Sequence, residues 1–466
     1  MEATKERRLA QRTRKASGSR RTLIVGLGAT GLAAARYLTA LGERVLVIDS
    51  RPNPPCLDAL RGECPDVPVE LETLDAKWLE GASQIVVSPG LGVEIPIVVA
   101  ARRAGIDVLS DVELFARAAD APVLAVTGSN GKSTATTLTA RLLEAAGARA
   151  RAGGNLGPPA LDLLESSPPD AYVLEISSFQ METTESLRPV AAAVLNLSAD
   201  HLDRHGDIEH YGELKAKLLR AADYAVFNFD DPFVRRMGES CMRPIPFSIE
   251  TALASGWSVV ESGGERHLAR DGRPLLPARE LALRGRHNEA NALAAMALTA
   301  VFLEISGRAS DDATAAVLAE LKRFAGLPHR CRPVGERRGV QYVDDSKGTN
   351  VGAAVAALSG LDGPIVLIAG GVGKGADFAP LAAAARGKVK AAVLIGRAAD
   401  DLEAAFAGVC PTSRAGDMPS AVRAAADLAA PGDTVLLSPA CASLDMFRDY
   451  RHRGEAFAAA VEELPA

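Results

Sequence analysis

Eight consecutive residues, Thr127-Gly128-Ser129-Asn130-Gly131-Lys132-Ser133-Thr134, have the types and spacing that phosphate chemistry needs. An apolar, β-type run (122–126) precedes them and an Ala/Leu/Thr run with helical spacing (135–146) follows. Strand, glycine loop, Lys-Ser/Thr and helix together form a loop whose backbone N–H groups can turn toward an anion. The helix start adds unsatisfied N–H groups and a positive dipole end. Lys132 can reach outer phosphates, and the Ser133 or Thr134 hydroxyl can hold Mg²⁺. The usual Gly-x-x-x-x-Gly-Lys-[Ser/Thr] spacing wants glycine at position 126, where Val126 stands, so the loop is a shortened variant.

Other polar residues also sit where a strand should end. Glu175 closes the apolar run 171–176, where an ionised side chain is costly unless it is paired or bound to metal. The run 191–197 leads into Asp200-His201-Leu202-Asp203-Arg204-His205, which fits metal ligands or a solvated loop equally well. Asn288 and Asn291 stand three apart at the start of an Ala/Leu helix, so they share one side; capping accounts for one of them. Lys215 and Lys217 on the helix 211–220 read, by themselves, as a solvated face.

These groups need a scaffold, and the hydrophobic pattern predicts α/β alternation throughout. Near the start, Gly26-Leu27-Gly28-Ala29-Thr30-Gly31 lies between a strand (22–26) and a helix (32–41), and the next strand (43–48) ends in Asp49-Ser50-Arg51. This is a βαβ unit with a diphosphate-sized site at a helix N-terminus. Ser88-Pro89-Gly90 ends another strand, 84–87. Further on, strands at 340–343, 365–369, 391–395 and 434–437 each run into a polar cluster, among them Asp345-Ser346-Lys347, Gly370 to Gly375 and Ser438 to Ser443. Ligands of parallel sheets bind at such C-terminal ends. The expected organisation is three α/β domains: a Rossmann-like domain at 22–120, a central P-loop domain at 121–326 and a second Rossmann-like domain at 327–466. A basic extension, 1–21, precedes them and reads as disordered.

Composition narrows the function class. The 466 residues exceed one core, and 48% hydrophobic with 24% charged residues describes an ordinary soluble chain. A net charge of −6 argues against nucleic acid as partner. No apolar run approaches the roughly 18 residues of a membrane span. The six cysteines are scattered without a Cys-x-x-Cys pair and read as free thiols of a reducing compartment, so a cytoplasmic location is expected.

Taken together the motifs resemble those of the Mur ligases, ATP-dependent enzymes that add amino acids in peptidoglycan precursor synthesis. The matching stretches are Thr127 to Thr134, Glu175 to Gln180, Asp200 to Arg204, His287 to Asn291, Gly326 to Arg330, Asp345 to Lys347 and Ser438 to Asp445. Gly26 to Gly31 with Asp49-Ser50-Arg51, Ser88 to Gly90 and Ser438 to Phe447 point to the branch that joins D-glutamate to UDP-N-acetylmuramoyl-L-alanine.

The resemblance implies roles. Gly128, Ser129, Asn130, Gly131, Lys132, Ser133 and Thr134 would hold ATP, with Asn288, Asn291, Arg330 and Asp345 also contacting the nucleotide. Glu175 and His201, with Ser133, would bind Mg²⁺ or Mn²⁺. Lys215 matches a lysine that CO₂ carbamylates in this family, which would make it a further metal ligand. Asn155 and His201 would line the acyl-phosphate region. Lys347, Thr349, Lys374, Ser443, Leu444 and Tyr450 would place D-glutamate. Gly28, Ala29, Thr30, Gly31, Asp49, Ser50, Ser88, Pro89 and Gly90 would hold the uridine diphosphate end. A monomer is expected. Three alternatives remain open: a ligase of the same fold adding another amino acid, an NAD-dependent oxidoreductase using Gly26 to Gly31 with Asp49, and a non-catalytic nucleotide sensor.

Overall fold

The computed structural model describes residues 21–164, 167–283, 285–361 and 363–465. The basic extension lies outside the described residues, apart from Arg21, which opens the first strand. The chain forms two compact units, one built from residues up to Ala125, Arg149–Val190 and Ala221–Asp223, the other from Val126–Ala148, Ala191–Arg220 and Tyr224 onward.

In the first unit a five-stranded sheet runs in the order Val69–Glu70, Val45–Ile48, Arg21–Val25, Ala82–Val87, Asp107–Leu109. All neighbours are parallel. Leu23 and Val25, Leu46 and Ile48, and Ile85 and Val87 alternate along their strands, so they share one face and pack on Ile97, Val98 and Ala101 of the helix Pro96–Arg103. The order reverses between Arg21–Val25 and Ala82–Val87. That switch point opens a crevice at the strands' C-terminal ends. Strands Ala150–Gly154 and Ala171–Glu175 pair in parallel, with Gly154 beside Glu175.

In the second unit, strands Ala191–Val194, Tyr224–Asn228, Pro244–Ser248 and Trp257–Ser262 are parallel neighbours. Strands Glu265–Arg270 and Arg273–Pro277 then return antiparallel as hairpins, which the hydrophobic pattern did not suggest. A six-stranded sheet follows the order Arg332–Arg337, Val340–Asp344, Thr434–Leu437, Ile365–Gly370, Val389–Ile395, Thr412–Arg414. Its first strand is antiparallel, the rest parallel. Along Ile365–Gly370, Leu367 and Ala369 enter one core while Val366 and Ile368 enter the other. Burial of both faces is why these strands read as continuous apolar runs.

Helix starts differ most from expectation. The helices expected to begin at 32, 135 and 211 begin at Ala29, Lys132 and Ile208. These first turns hold small or polar residues, Gly31, Ser133 and Thr134 among them, which are buried without being apolar, so hydrophobic spacing cannot mark them.

Candidate active site

The phosphate-type loop is built by two glycines and locked by one asparagine. Gly128 and Gly131 have φ of 145° and 84°, backbone settings that a side chain would strain. A Cβ on Gly131 would also lie 2.3 Å from Asn291 Oδ1, so the Arg286–Ile305 helix rests directly on the loop. Asn196 takes the Asn130 N–H on Oδ1 at 2.8 Å, returns a bond to the Asn130 carbonyl at 3.1 Å, and its carbonyl accepts the Ser129 N–H at 3.0 Å. The first helical bond runs from the Ala135 N–H to the Gly131 carbonyl, which leaves the Lys132, Ser133 and Thr134 N–H groups ahead of it at the positive helix end. The Lys132 ammonium donates to the Gly128 and Ser129 carbonyls at 2.8 and 2.9 Å. It is thus drawn over the mouth of its own loop.

Beside the loop is a cavity of about 320 Å³, lined by Asn130, Gly131 and Thr134 together with Asn288, Asn291, Arg330 and Asp345. These come from widely separated parts of the chain and are seven of the eleven residues expected to meet a nucleotide; Gly128, Ser129, Lys132 and Ser133 do not line it. Leu195, Ile249 and Leu327 supply apolar wall. Asn291 Nδ2 donates to Asn288 Oδ1 at 3.0 Å, which fixes the pair against the loop. Asp345 is buried; it accepts from Ser438 Oγ at 2.7 Å and from the Cys331 N–H at 3.2 Å. Burial pushes its carboxyl up to about 7, against the pull of Ser438 and Arg330.

Lys215 is buried at 1% exposure, so its solvated-face reading is wrong. Its ammonium donates to the Gly128 carbonyl at 3.0 Å and sits 4.1 Å from the centre of the Tyr211 ring. Tyr211 is one helical turn away and its hydroxyl accepts from Ser129 Oγ at 3.3 Å, so both residues support the loop from beneath.

A second cluster gathers around Asp200. Its carboxylate lies 3.5 Å from Lys374 Nζ and 3.5 Å from His201 Nε2, and accepts from Asn350 Nδ2 at 2.9 Å. Burial raises the Asp200 carboxyl, yet Lys374, His201 and Asn350 hold it below the usual range; burial lowers the His201 imidazole. Lys347 Nζ sits 4.1 Å from the centre of the Tyr450 ring, Thr349 turns back to the Lys347 carbonyl, Ser443 is buried and Leu444 is exposed. Val372 and Ala442 exchange backbone bonds of 2.8 and 3.0 Å, so the Gly370–Gly375 loop is held to the Ser438–Ser443 segment whatever side chain stands at 372.

Sequence reading missed several supports. Arg453 is fully buried and donates to Ser346 Oγ, the Ser346 carbonyl and the Cys441 carbonyl, bracing two of the loops. Nothing in its helical surroundings distinguished it from a surface arginine. Asn350 and Asp200 had a signal, since each stands in a polar run after a strand.

In the first unit the switch-point crevice, about 410 Å³, is lined by Gly28, Thr30, Asp49, Ser50, Ser88, Pro89 and Gly90, with Arg51. A Cβ on Gly31 would lie 2.1 Å from the Gly26 carbonyl oxygen, so only glycine lets the helix approach the strand here. The Asp49 carboxylate takes the Leu27 N–H at 2.7 Å and both Arg51 Nε and Nη2 at 2.8 and 2.7 Å. Also in this unit, Asn155 Nδ2 donates to Glu175 Oε1 at 2.5 Å and its N–H to the Glu175 carbonyl at 2.9 Å.

Among the described residues no group of three or more His, Cys, Asp or Glu is placed to hold a metal alone. The Ser133 hydroxyl in the second unit and the buried Glu175 carboxylate in the first are each oxygen donors of the kind Mg²⁺ takes, whereas His201 offers a ring nitrogen. Among the described residues no helix is long and apolar enough to cross a membrane.

Comparison with known proteins agrees with this arrangement. Family models match three segments: "Mur ligase MurD-like, N-terminal domain" over residues 20–110, "Mur ligase middle domain" over 126–299, and "Mur ligase, glutamate ligase domain" over 329–441. A Nitrosococcus oceani protein named UDP-N-acetylmuramoylalanine--D-glutamate ligase is 47% identical over 95% of this chain and 96% of its own. Proteins of the same name from Marinobacter nauticus and Pseudomonas aeruginosa are 47% and 46% identical over 96% and 95% of this chain, and 98% of theirs. The fold matches that of UDP-N-acetylmuramate-alanine ligase MurC from Thermotoga maritima, with a TM-score of 0.61 at 18% identity over 95% of this chain and 99% of that one. A pseudomurein peptide ligase type C from Methanothermus fervidus matches with a TM-score of 0.59 at 18% identity, over 96% and 100%. A loop, a cavity and an Asp-His-Lys cluster arranged in this way, with relatives matching nearly end to end, place the chain in the Mur ligase family.

Proposed function

We propose that this chain joins D-glutamate to the L-alanyl carboxylate of UDP-N-acetylmuramoyl-L-alanine with hydrolysis of ATP to ADP, as the names of its relatives indicate. The observation that carries this reading is the cavity that brings Asn130, Gly131 and Thr134 of the loop to Asn288, Asn291, Arg330 and Asp345. It suits a nucleotide base and ribose leading into a phosphate cradle.

A carboxylate and an amine do not condense at neutral pH. Transfer of the γ-phosphoryl group forms an acyl phosphate and releases ADP. The deprotonated amine of D-glutamate then attacks the acyl carbon, and the tetrahedral adduct collapses to amide and phosphate. Lys132 and the N–H groups at the helix start meet charge on the transferring phosphoryl, so the protein's contribution is positioning and electrostatics. Ser133, Glu175 and His201 would hold Mg²⁺, which supplies charge neutralisation on phosphate oxygens when bound; Mn²⁺ would serve the same ligands. Lys215, if carbamylated by CO₂, would join them. Lys215 meets the Gly128 carbonyl and the Tyr211 ring, among other contacts, and carbamate formation requires its amine to have lost a proton.

Asn155 and His201 would attend the acyl phosphate. Lys347, Thr349, Lys374, Ser443, Leu444 and Tyr450 would receive D-glutamate, and the first-unit crevice the uridine diphosphate group. Domain limits of 22–120, 121–326 and 327–466 accompany this reading, as does a monomer.

The test is phosphate release from ATP with UDP-N-acetylmuramoyl-L-alanine, varying only the amino acid. Release that depends on D-glutamate, and not on L-glutamate or L-alanine, is expected. Release with another amino acid would keep the chemistry and change the substrate. Nucleotide binding without release under any condition would favour the sensor.

A further inference from the structure

Lys374, the cation proposed above to receive a carboxylate of D-glutamate, already faces one: Asp200, at 3.5 Å. The side chains are only 22% and 10% exposed, so solvent does little to replace this partner. Lys374 also adopts φ 52°, a left-handed setting that lysine enters only when its surroundings hold it there. The same Asp200 carboxylate accepts from Asn350 Nδ2 at 2.9 Å, and that amide group simultaneously donates to Asn130 Oδ1 on the phosphate loop at 3.1 Å. One side chain therefore touches both the counter-ion of Lys374 and the loop.

We infer that Asp200 is a positioning residue that serves as an internal counter-ion for Lys374, which the substrate carboxylate must displace, and that Asn350 transmits this exchange to Asn130. The inference rests on the reading of Lys374 given above. Displacing Asp200 from Lys374 leaves Asn350 to redistribute its two donated bonds, and whatever fixes Asn130 from the nucleotide side biases that choice. Occupancy of the loop and affinity for the amino acid are then coupled, in both directions. Binding of D-glutamate also gives up part of its electrostatic gain to Asp200, so the site accepts only ligands whose second group recovers the difference.

The experiment is a double-mutant cycle with steady-state kinetics. Asp200→Asn keeps the shape and an acceptor for Asn350 but removes the charge, and should lower KM for D-glutamate about threefold to tenfold while kcat falls. A merely structural loss would raise KM or leave it alone. Lys374→Met should raise KM for D-glutamate, and in that background Asp200→Asn should have no further effect on KM. Asn350→Ser retains an acceptor for the Ala353 N–H, which Asn350 now caps at 2.8 Å, but removes the bridging amide. It should weaken the dependence of KM for D-glutamate on ATP concentration. Unchanged KM in Lys374→Met would refute the reading of Lys374 itself. A raised KM there, combined with an Asp200→Asn effect that is absent or that persists without Lys374, would overturn the counter-ion inference alone.

Discussion

Arg330 donates to Ser133 Oγ at 2.7 Å across 197 residues of sequence, tying the start of the last family segment to the phosphate loop. The guanidinium thus lies beside the hydroxyl expected to face Mg²⁺ and the outer phosphates. Charge-assisted bonds of this kind contribute about 1.5–3 kcal/mol each. Arg330→Ala should therefore raise KM for ATP about 10- to 100-fold, with a smaller change in KM for D-glutamate. Equal rises for both substrates would mean that the bond is only scaffolding.

Lys215 is buried against Gly128 and Tyr211. Lys215→Ala should abolish phosphate release while nucleotide binding, measured by fluorescence titration, persists. Raised CO₂ should increase the wild-type rate and leave the variant unaffected. Full activity in Lys215→Ala would eliminate the carbamate.

Gly131→Ala should cost about 1–2 kcal/mol from the left-handed backbone alone, and its methyl group would push Asn291 off the loop. KM for ATP should rise by a larger factor than that stability loss explains. A variant with lowered Tm and unchanged KM for ATP would show that the Gly131–Asn291 approach has no role in binding.

The Asp345 carboxyl stands at about 7 in the folded chain, against an ordinary value of 3.8. Between those two pH values the folded state holds a proton that the unfolded state has released, so stability falls as pH rises through the window. Above it, both states are ionised and the full burial cost remains. Asp345→Asn cannot ionise, so its Tm should decline less than that of the wild type between about pH 4 and 7. Parallel Tm profiles for the two proteins would place the Asp345 ionisation outside this range.

The N-terminal crevice, the phosphate loop and the strand-end clusters were legible because each depends on local geometry. Gly31 is needed where a helix approaches a strand, and Gly131 where the chain turns left-handed, requirements met within a few residues. Burial of both faces made strands such as Ile365–Gly370 readable as apolar runs. What the sequence by itself determined, then, was which backbone segments could cradle phosphate and in what order they come. Only the tertiary structure decided the partners of the charges. Lys215 reads as a surface lysine until the loop carbonyl of Gly128 and the Tyr211 ring meet it, and Arg453 as a surface arginine until two loops close on it. Asp200, Asn350 and Lys374 lie up to 174 residues apart, and no local pattern encodes their meeting. A charge is indifferent to sequence distance; its role is set by desolvation and by the nearest opposite charge, and both exist only once the chain has folded.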